Sequence, residues 1–569
     1  MIEGVKQQKW WGWGFEGEAY EYASKPKFPA FVKHHVGLDI AEPVKPIPAF
    51  DSLDVPPSRL GDELRGRLEG ILGAEFVQTD DETRVVHAFG KGLRDLVRVR
   101  RGKIDRAPDV VIYPGTEEEV QRVVYIVVEL DAVLIPFGGG SNIVGALEAE
   151  PHEERQVVSM NMGRMDKVVE IDEAAGIARI QAGVFGPDME DQLRARGWTM
   201  GHQPDSFVWS TLGGWIATRS SGMQSDKYGD IADMVVGLRM VMPGQVLTLR
   251  PLPSTSSGPS VREMVIGSEG RLGVITEAWM QVHRIAEVRE IQAYFFATYE
   301  DGLRACQQIV ESDAEPMMAR VSDALETKYI MANGKKGSKV SSWVSKGIQK
   351  LMRSKGWDLD NIAMSFVGFE GSANHVRYNK GLVGKIIKAN NGLNVGAGPG
   401  KLYDQKKYDT PFLRDFMLDR GLVCDVSETT TPWSRAEEMH DKACKAFYDT
   451  MERIGKVGVV FCHLSHSYHS GACQYFTFAI NDSDPDTMLE TYDAAKRAIQ
   501  QSFVDFGGTV SHHHGVGEEH SPWMAQDISP AGVHIQRKLF EGVDPGGNFN
   551  PGKIIHDGRP GITSNSSDA

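Results

Sequence analysis

The stretch that most limits what this chain can fold into is "DVVIYPGTEEEVQRVVYIVVELDAVLIPFGGGSN", residues 109–142. It reads as a strand, a helix and a second strand in close order, and that alternation signals α/β or α+β architecture. The second strand runs into "PFGGGSN", residues 136–142. Gly138, Gly139 and Gly140 permit positive φ and let several backbone N–H groups approach a diphosphate, while Ser141 adds a hydroxyl donor. The loop has neither the Lys-Ser/Thr ending of a P-loop nor the spacing of the nicotinamide-dinucleotide fingerprint, which weakens ATP and NAD as ligands. A glycine triplet alone is more often a turn. Two further loops change that reading: "PDSFVWSTLGGWIATRSSG" at 204–222 and "GSEGRLGVITEA" at 267–278. Three loops of small and hydroxyl residues on one scaffold suit a large dinucleotide with a pyrophosphate, a ribitol and two ring systems.

Around these loops, short Val/Ile-rich strands are expected at "QVVSMNM", "KVVEID", "IARIQAG" and "RLGVITEAWMQVHRI". An aromatic opening, a Pro-punctuated stretch and a helix at "GDELRGRLEGIL" make residues 1–105 an N-terminal arm or small domain. After about Ala286 the chain becomes less Gly-rich and reads as more helical. Its segment 335–356 carries Lys335, Lys336, Lys339, Lys346, Lys350, Arg353 and Lys355 without one acid. Val340, Trp343, Val344, Gly347, Ile348 and Leu351 recur there at helical spacing. Such a helix can lie on an anionic membrane surface or cover a core with a solvated basic face.

A net charge of −15 removes a general nucleic-acid binder, because neutralising phosphates needs a basic face. The five cysteines are widely spaced and free of any CxxC pair, so neither a disulfide framework nor a zinc site is expected and a reducing compartment fits. "MIEGVKQQKWWGWG" has no apolar h-region, and no apolar run approaches the roughly 20 residues that span a bilayer. The expected location is cytoplasmic, with peripheral association at the inner face of a membrane.

The histidine run "SHHHGVG", residues 511–517, has three readings: an active-site base and phosphate ligand, a metal site, or packing. On a strand, His512 and His514 would share a face while His513 points away. Tyr475, in the alternating "QYFTF", would by itself be taken as a packed strand aromatic. Arg320 could equally be a surface ion-pair partner.

Together with "KWWGWG", "GHQPDSFVWSTLGGWIATRSSGM", "SGACQYFTF" and the terminal "VDPGGNFNPGK", these motifs resemble the alkyldihydroxyacetonephosphate synthase family over nearly the whole chain. That family is the ether-lipid branch of the vanillyl-alcohol-oxidase type of FAD flavoprotein. The resemblance implies an α+β fold: an FAD-binding domain of the vanillyl-alcohol-oxidase, or p-cresol methylhydroxylase (PCMH), type, made of two α+β lobes, with a separate α+β cap. The expected ranges are 106–285 for the FAD domain, 286–510 for the cap, and 511–569 for a segment returning to the active site.

By the same resemblance, FAD is held by Pro136, Phe137, Gly138, Gly139, Gly140, Ser141 and Asn142; by Asp205, Ser206, Ser210, Thr211, Gly213 and Gly214; by Thr218, Arg219, Ser220 and Ser221; and by Glu269, Gly270, Leu272, Gly273, Val274 and Ile275. Tyr475 becomes the essential acid/base, His512, His513 and His514 are needed for activity, and Arg320 lies near the flavin. Lys401 is a further candidate for the substrate phosphate, and no metal is expected. The implied reaction exchanges the acyl group of acyl-dihydroxyacetone phosphate for a long-chain fatty alcohol through a flavin N5 adduct, without net redox change. A homodimer is implied as well. His463, His466 and His469 in "CHLSHSYHSGACQYF" depart from the eukaryotic pattern, and "SNSSDA" is not a peroxisomal address; both point to a bacterial relative. The competing readings are an FAD-dependent D-2-hydroxy acid dehydrogenase, disfavoured by the missing Gly-Asp-Gly-Asn core, and a decayed flavin-binding scaffold, disfavoured by the retained tyrosine and histidines.

Overall fold

The computed structural model describes residues 2–41, 43, 47–334, 346–408 and 410–555. Strand Val110–Ile112, helix Glu117–Glu129 and strand Val133–Phe137 follow one another as the opening stretch predicts. Thr116 caps the helix by accepting from Glu119 N, and three glutamates in the first turn complement its dipole. Val120, Val123, Val124 and Val127 make its buried face. The two strands do not pair with each other. Val157–Asn161 lies between them, parallel to both, and Val77–Gln78 adds an antiparallel edge. This lobe therefore recruits residues upstream of 106, because helix Asp62–Leu72 packs Leu64, Leu68 and Leu72 against it.

The second lobe is an antiparallel five-stranded sheet in the order Val168–Asp172, Ile177–Gln181, Val274–Gln281, Val235–Met242, Gln245–Leu249. The three glycine- and hydroxyl-rich loops, which follow strand Val133–Phe137, strand Trp198–Thr199 and helix Val261–Val265, line one cavity.

Beyond residue 286 the chain is richer in helix, as expected, but its framework is a sheet the sequence did not announce. It builds the largest sheet of the molecule, seven strands ordered Leu393–Gly396, Val288–Phe296, Ala363–Gly371, Met318–Ser322, Gly458–Ser467, Gly471–Asn481, Leu422–Pro432. Helices Tyr299–Val310, Ala373–Ala389, Ala436–Ile454 and Met488–Asp505 pack against it. Its strands hide from a period-two reading because they are covered on both faces: eight of the nine residues of Ala363–Gly371 are buried.

The N-terminal arm is stitched to both halves. Gln8 donates to Gly139 O at 2.6 Å, Trp13 packs edge-on against Trp209, and helix Phe28–Val36 buries Phe28, Val32 and Val36 against Val459 and Phe461 of the cap. The C-terminal segment returns to the first lobe, where Asn550 N donates to Leu134 O. Of the basic segment, helix Lys346–Ser354 is described, while 335–345 lie outside the described residues. Met352 and Ile348 pack on the cap core beside Met364 and Phe366, whereas Leu351 is 43% exposed.

Candidate active site

A cavity of about 490 Å³ lies between the glycine loops and the cap sheet. Its floor is the first loop, which only glycine can form. A Cβ on Gly138 would stand 2.2 Å from Thr211 Oγ1 and one on Gly139 1.9 Å from Trp209 O, so the first and second loops touch backbone to backbone. Gly140 has φ +71°. Among the described residues, the buried Thr211 Oγ1 and Asn550 Oδ1 on this wall lack a hydrogen-bond partner. Close-approach glycines beside orphaned buried polar atoms fit a polar ligand lying along the loops, as FAD would.

Every residue from Pro136 to Asn142 lines the cavity, as do Asp205, Ser206, Ser210, Thr211, Gly213, Gly214, Thr218, Ser220, Glu269, Gly270, Gly273, Val274 and Ile275. Three of the expected FAD contacts lie off the cavity wall. Arg219 sits at φ +57°, which turns its side chain outward to Glu263 at 2.7 Å. Leu272 is buried in the core of the second lobe, and Ser221 is buried behind the wall rather than on it.

The polar cluster on the cap side of the cavity is set by sheet register. His463, Tyr475 and Glu428 lie directly opposite one another on three neighbouring strands, which puts their side chains on one face. Tyr475 stacks on His463 with centroids 4.9 Å apart, and on its other side lies parallel to His513 at 6.0 Å. Burial, with Asp205 and Glu428 nearby, holds the Tyr475 phenol well above its ordinary range, so the resting hydroxyl is protonated.

Each end of this stack is fixed by a buried carboxylate. On one side Glu326 accepts from Arg320 (3.1 Å) and from His463 Nδ1 (2.9 Å). Burial alone would raise the Glu326 carboxyl, but His463 and Arg320 outweigh it and bring it to about 2. On the other side Glu428 Oε1 accepts from the backbone N–H of His512, His513 and His514 at 3.1, 2.6 and 2.8 Å, while Oε2 lies 2.7 Å from His513 Nδ1. Burial opposes a charged His513, yet Glu428 prevails and its pKa is raised. Burial dominates for His514, which is held well below its ordinary value, and for His512, pulled down to about 4.

The histidine run is thus not a strand. Glu428 gathers its backbone from one side, and Glu269 accepts from Val516 N and Gly517 N at 2.6 and 2.8 Å from the other. Two buried acids, one from the cap and one from the third loop, suspend the run over the cavity. His513 and His514 line the cavity; His512 does not, and turns instead to Tyr468. Lys401 is exposed and lies off the wall, because the helix Gly398–Lys406 presents another side to the cavity. The lysine on the wall is Lys407, about 240° further round, tied to Gln203 at 2.6 Å.

Sequence reasoning missed Glu326, Glu428, Arg414 and Lys407. Two acids within the strand "LVCDVSETTTP" were the available signal for Glu428: Asp425 there pairs with Arg414 at 2.6 Å. Of the additional histidines, His463 joins the stack, His466 is buried and donates to Gly222 O at 3.0 Å, and His469 is exposed. His466, Cys473, His512 and His513 have donor atoms within 4.8 Å of one another, as do Glu428, His513 and His514. The imidazoles of the first group are already engaged by Gly222, Ser465, Tyr468 and Glu428, so it is a hydrogen-bonded histidine network.

The far end of the cavity is apolar. Phe28, Val32, Val36, Met417, Val459, Phe461 and Ala479 belong to one apolar cluster of the N-terminal helix and the cap and line an apolar arm of the cavity. Among the described residues no helix is long and apolar enough to cross a membrane.

Comparison with known proteins agrees with this geometry. A family model described as an FAD binding domain matches residues 108–250, and one described as the C-terminal domain of FAD linked oxidases matches residues 285–554. The chain is 37% identical to alkyldihydroxyacetonephosphate synthase of Dictyostelium discoideum, with 97% of this chain and 94% of that one covered. It is 34% identical to the enzyme of the same name from Trypanosoma brucei brucei over 98% and 93%. A solved structure of alkyldihydroxyacetonephosphate synthase superposes with a TM-score of 0.85 at 35% identity, covering 97% of this chain and 99% of that one. p-Cresol methylhydroxylase shares the fold at a TM-score of 0.66 and 15% identity, over 88% and 98%.

Proposed function

The chain belongs to the alkyldihydroxyacetonephosphate synthase family of FAD-linked flavoproteins, and from that premise we propose that it replaces the acyl group of acyl-dihydroxyacetone phosphate by a long-chain fatty alcohol, forming the ether bond of an ether lipid and releasing a fatty acid. FAD is its cofactor. The observation that carries the reading is the continuity of one cavity: glycine loops at the floor, the carboxylate-fixed Tyr475 and histidine stack in the middle, and an apolar arm beyond. Polar head and long chain each have a matching wall.

Bound FAD supplies a ring system that can accept an electron pair from the substrate carbon and return it, so exchange proceeds without net oxidation. The protein moves the protons and holds the charges. Tyr475, protonated at rest, is a donor toward the departing carboxylate or a shuttle for the alcohol proton. His514, neutral at working pH, can accept a proton, while Glu428 favours the protonated form of His513. Arg320 and Lys407 on the wall supply positive charge for the phosphate. The apolar arm excludes water from the alkyl chain and stabilises it by about 0.8 kcal/mol per buried methylene. Leu351, exposed on the basic helix beside exposed Lys350, Arg353 and Lys355, supports peripheral contact with an anionic membrane that would deliver such substrates.

The test is mass spectrometry of the purified yellow protein incubated with palmitoyl-dihydroxyacetone phosphate and oxygen-18-labelled hexadecanol. Labelled ether, free palmitate and an oxidised flavin are expected. No ether, with bleaching of the flavin by a D-2-hydroxy acid, would move the protein to the dehydrogenases. Co-sedimentation with phosphatidylserine vesicles, lost in Lys350→Glu/Arg353→Glu, checks the membrane contact.

A further inference from the structure

The proposed exchange has a proton balance that the cavity must satisfy. An ester and an alcohol give an ether and a carboxylic acid; the C1–O bond to the acyl group breaks and a C1–O bond to the alcohol forms. A fatty acid ionises below neutral pH, so each turnover leaves one carboxylate and one proton. That proton arises in a cavity whose histidines and tyrosine are buried or half-buried.

Behind His513 runs an unbroken line of hydrogen-bonded groups that the reaction groups named so far do not use. His513 Nδ1 lies 2.8 Å from His512 Nδ1. His512 Nε2 is hydrogen-bonded to the Tyr468 hydroxyl, and that hydroxyl lies 2.8 Å from Asp230 Oδ2. The donors can be ordered by elimination. A carboxylate only accepts, so Tyr468 donates to Asp230. The tyrosine oxygen then accepts from His512 Nε2–H, which leaves His512 Nδ1 bare to accept from His513 Nδ1–H, a proton shared with Glu428 Oε2 at 2.7 Å. All three hydrogen bonds therefore point the same way, out of the cavity. Sheet geometry explains the exit: Tyr468 stands in the turn joining strands Gly458–Ser467 and Gly471–Asn481, next to the exposed His469 and Ser470, and Asp230 in a half-buried loop before helix Ile231–Met234. His466 packs at a tilt against His512 at 4.9 Å with its Nε2 committed to Gly222 O, so it holds the relay ring without entering it.

We propose that His513, His512, Tyr468 and Asp230 form the path by which the proton of each turnover leaves the buried site. The inference rests on the exchange reading of the preceding subsection. When His513 passes its Nδ1 proton to His512, His512 releases its Nε2 proton to Tyr468, and Tyr468 passes its own to Asp230, which yields it to water. No oxidant or co-reactant is needed. The transfers leave His512 protonated at Nδ1 and the Tyr468 hydroxyl turned toward it, so the line is reset by rotation of that hydroxyl and reorientation of the His512 ring before the next proton passes. His512 and Tyr468 touch no substrate; they are relay residues.

The test is a single turnover of the FAD-loaded enzyme in weak buffer, with a pH-indicator dye reporting bulk protons and chemical quench reporting ether. In the wild type, one proton per ether is expected in step with bond formation. Tyr468→Phe breaks the line while keeping the ring, and should delay proton appearance, or ether and proton together, by about tenfold or more; millimolar imidazole should restore the rate. Asp230→Asn, nearly isosteric, should do the same and serves if the first variant loses FAD. Unchanged proton timing in both variants overturns the relay, and so does a slowing that imidazole does not restore, since that marks a packing role. A wild type that makes no ether refutes the exchange reading instead.

Discussion

Replacing Glu428 by Gln tests the central electrostatic element of the site. The glutamine keeps the shape and one acceptor but removes the charge shared by three backbone N–H groups and the His513 imidazole. A hydrogen bond to a charged group contributes about 1 kcal/mol more than a neutral one, so the three N–H bonds together lose about 3 kcal/mol. His513 without its counter-ion should fall in pKa, and the total should reach about 3–5 kcal/mol, the usual result of breaking a buried pair. For a unit of the cap's size this is a fall in Tm of about 10 °C. The pH dependence is specific. Glu428 is held below its unfolded value, so its contribution is present above about pH 4.3 and lost as pH falls. His513 is raised, so its contribution is complete below about pH 6.5 and lost as pH rises through the folded value. The stability gap between wild type and variant should therefore be widest near pH 5.5 and narrow toward pH 8.5. Denaturant unfolding at both values, with carbon-13 imidazole NMR of His513, makes the measurement. A gap that is the same at both pH values, or an unmoved His513 titration, would refute the reasoning.

Tyr475→Phe should lower ether formation by about 100-fold or more while leaving the FAD absorbance and stoichiometry unchanged; retained turnover would remove the phenol from proton transfer. Gly139→Ala drives a methyl into the Trp209 carbonyl and should weaken FAD binding by about 5–150-fold, read by flavin fluorescence on titration; an unchanged affinity would mean that the second loop yields. Ala479→Phe narrows the apolar arm, so rates with hexadecanol should fall far more than rates with octanol in a chain-length series. Cys424 lines the same arm with its thiol pushed up by burial to about 12, so alkylation by iodoacetamide at pH 8 should be much slower than for a free thiol, as followed by intact-mass spectrometry.

The cofactor half was legible because its requirements are local. A glycine that must let another backbone approach within van der Waals contact leaves a trace in the sequence, and the three loops left three. The resemblance then named Tyr475, Arg320 and the histidine run. The cap sheet was harder to read, because strands buried on both faces lose the period-two alternation.

By itself, then, the sequence determined the strand, helix and strand that open the first lobe, the glycine loops and the family to which the chain belongs. Only the tertiary structure decided which histidines line the cavity, that Lys407 rather than Lys401 reaches the wall, and that Glu326 and Glu428 fix the charges at either end of Tyr475. The physical reason is range. Glycine contacts and helix caps are settled within a few residues of chain, whereas Glu428 lies 84 to 86 residues before the histidines it holds and acquires its partners only when strand register brings them together.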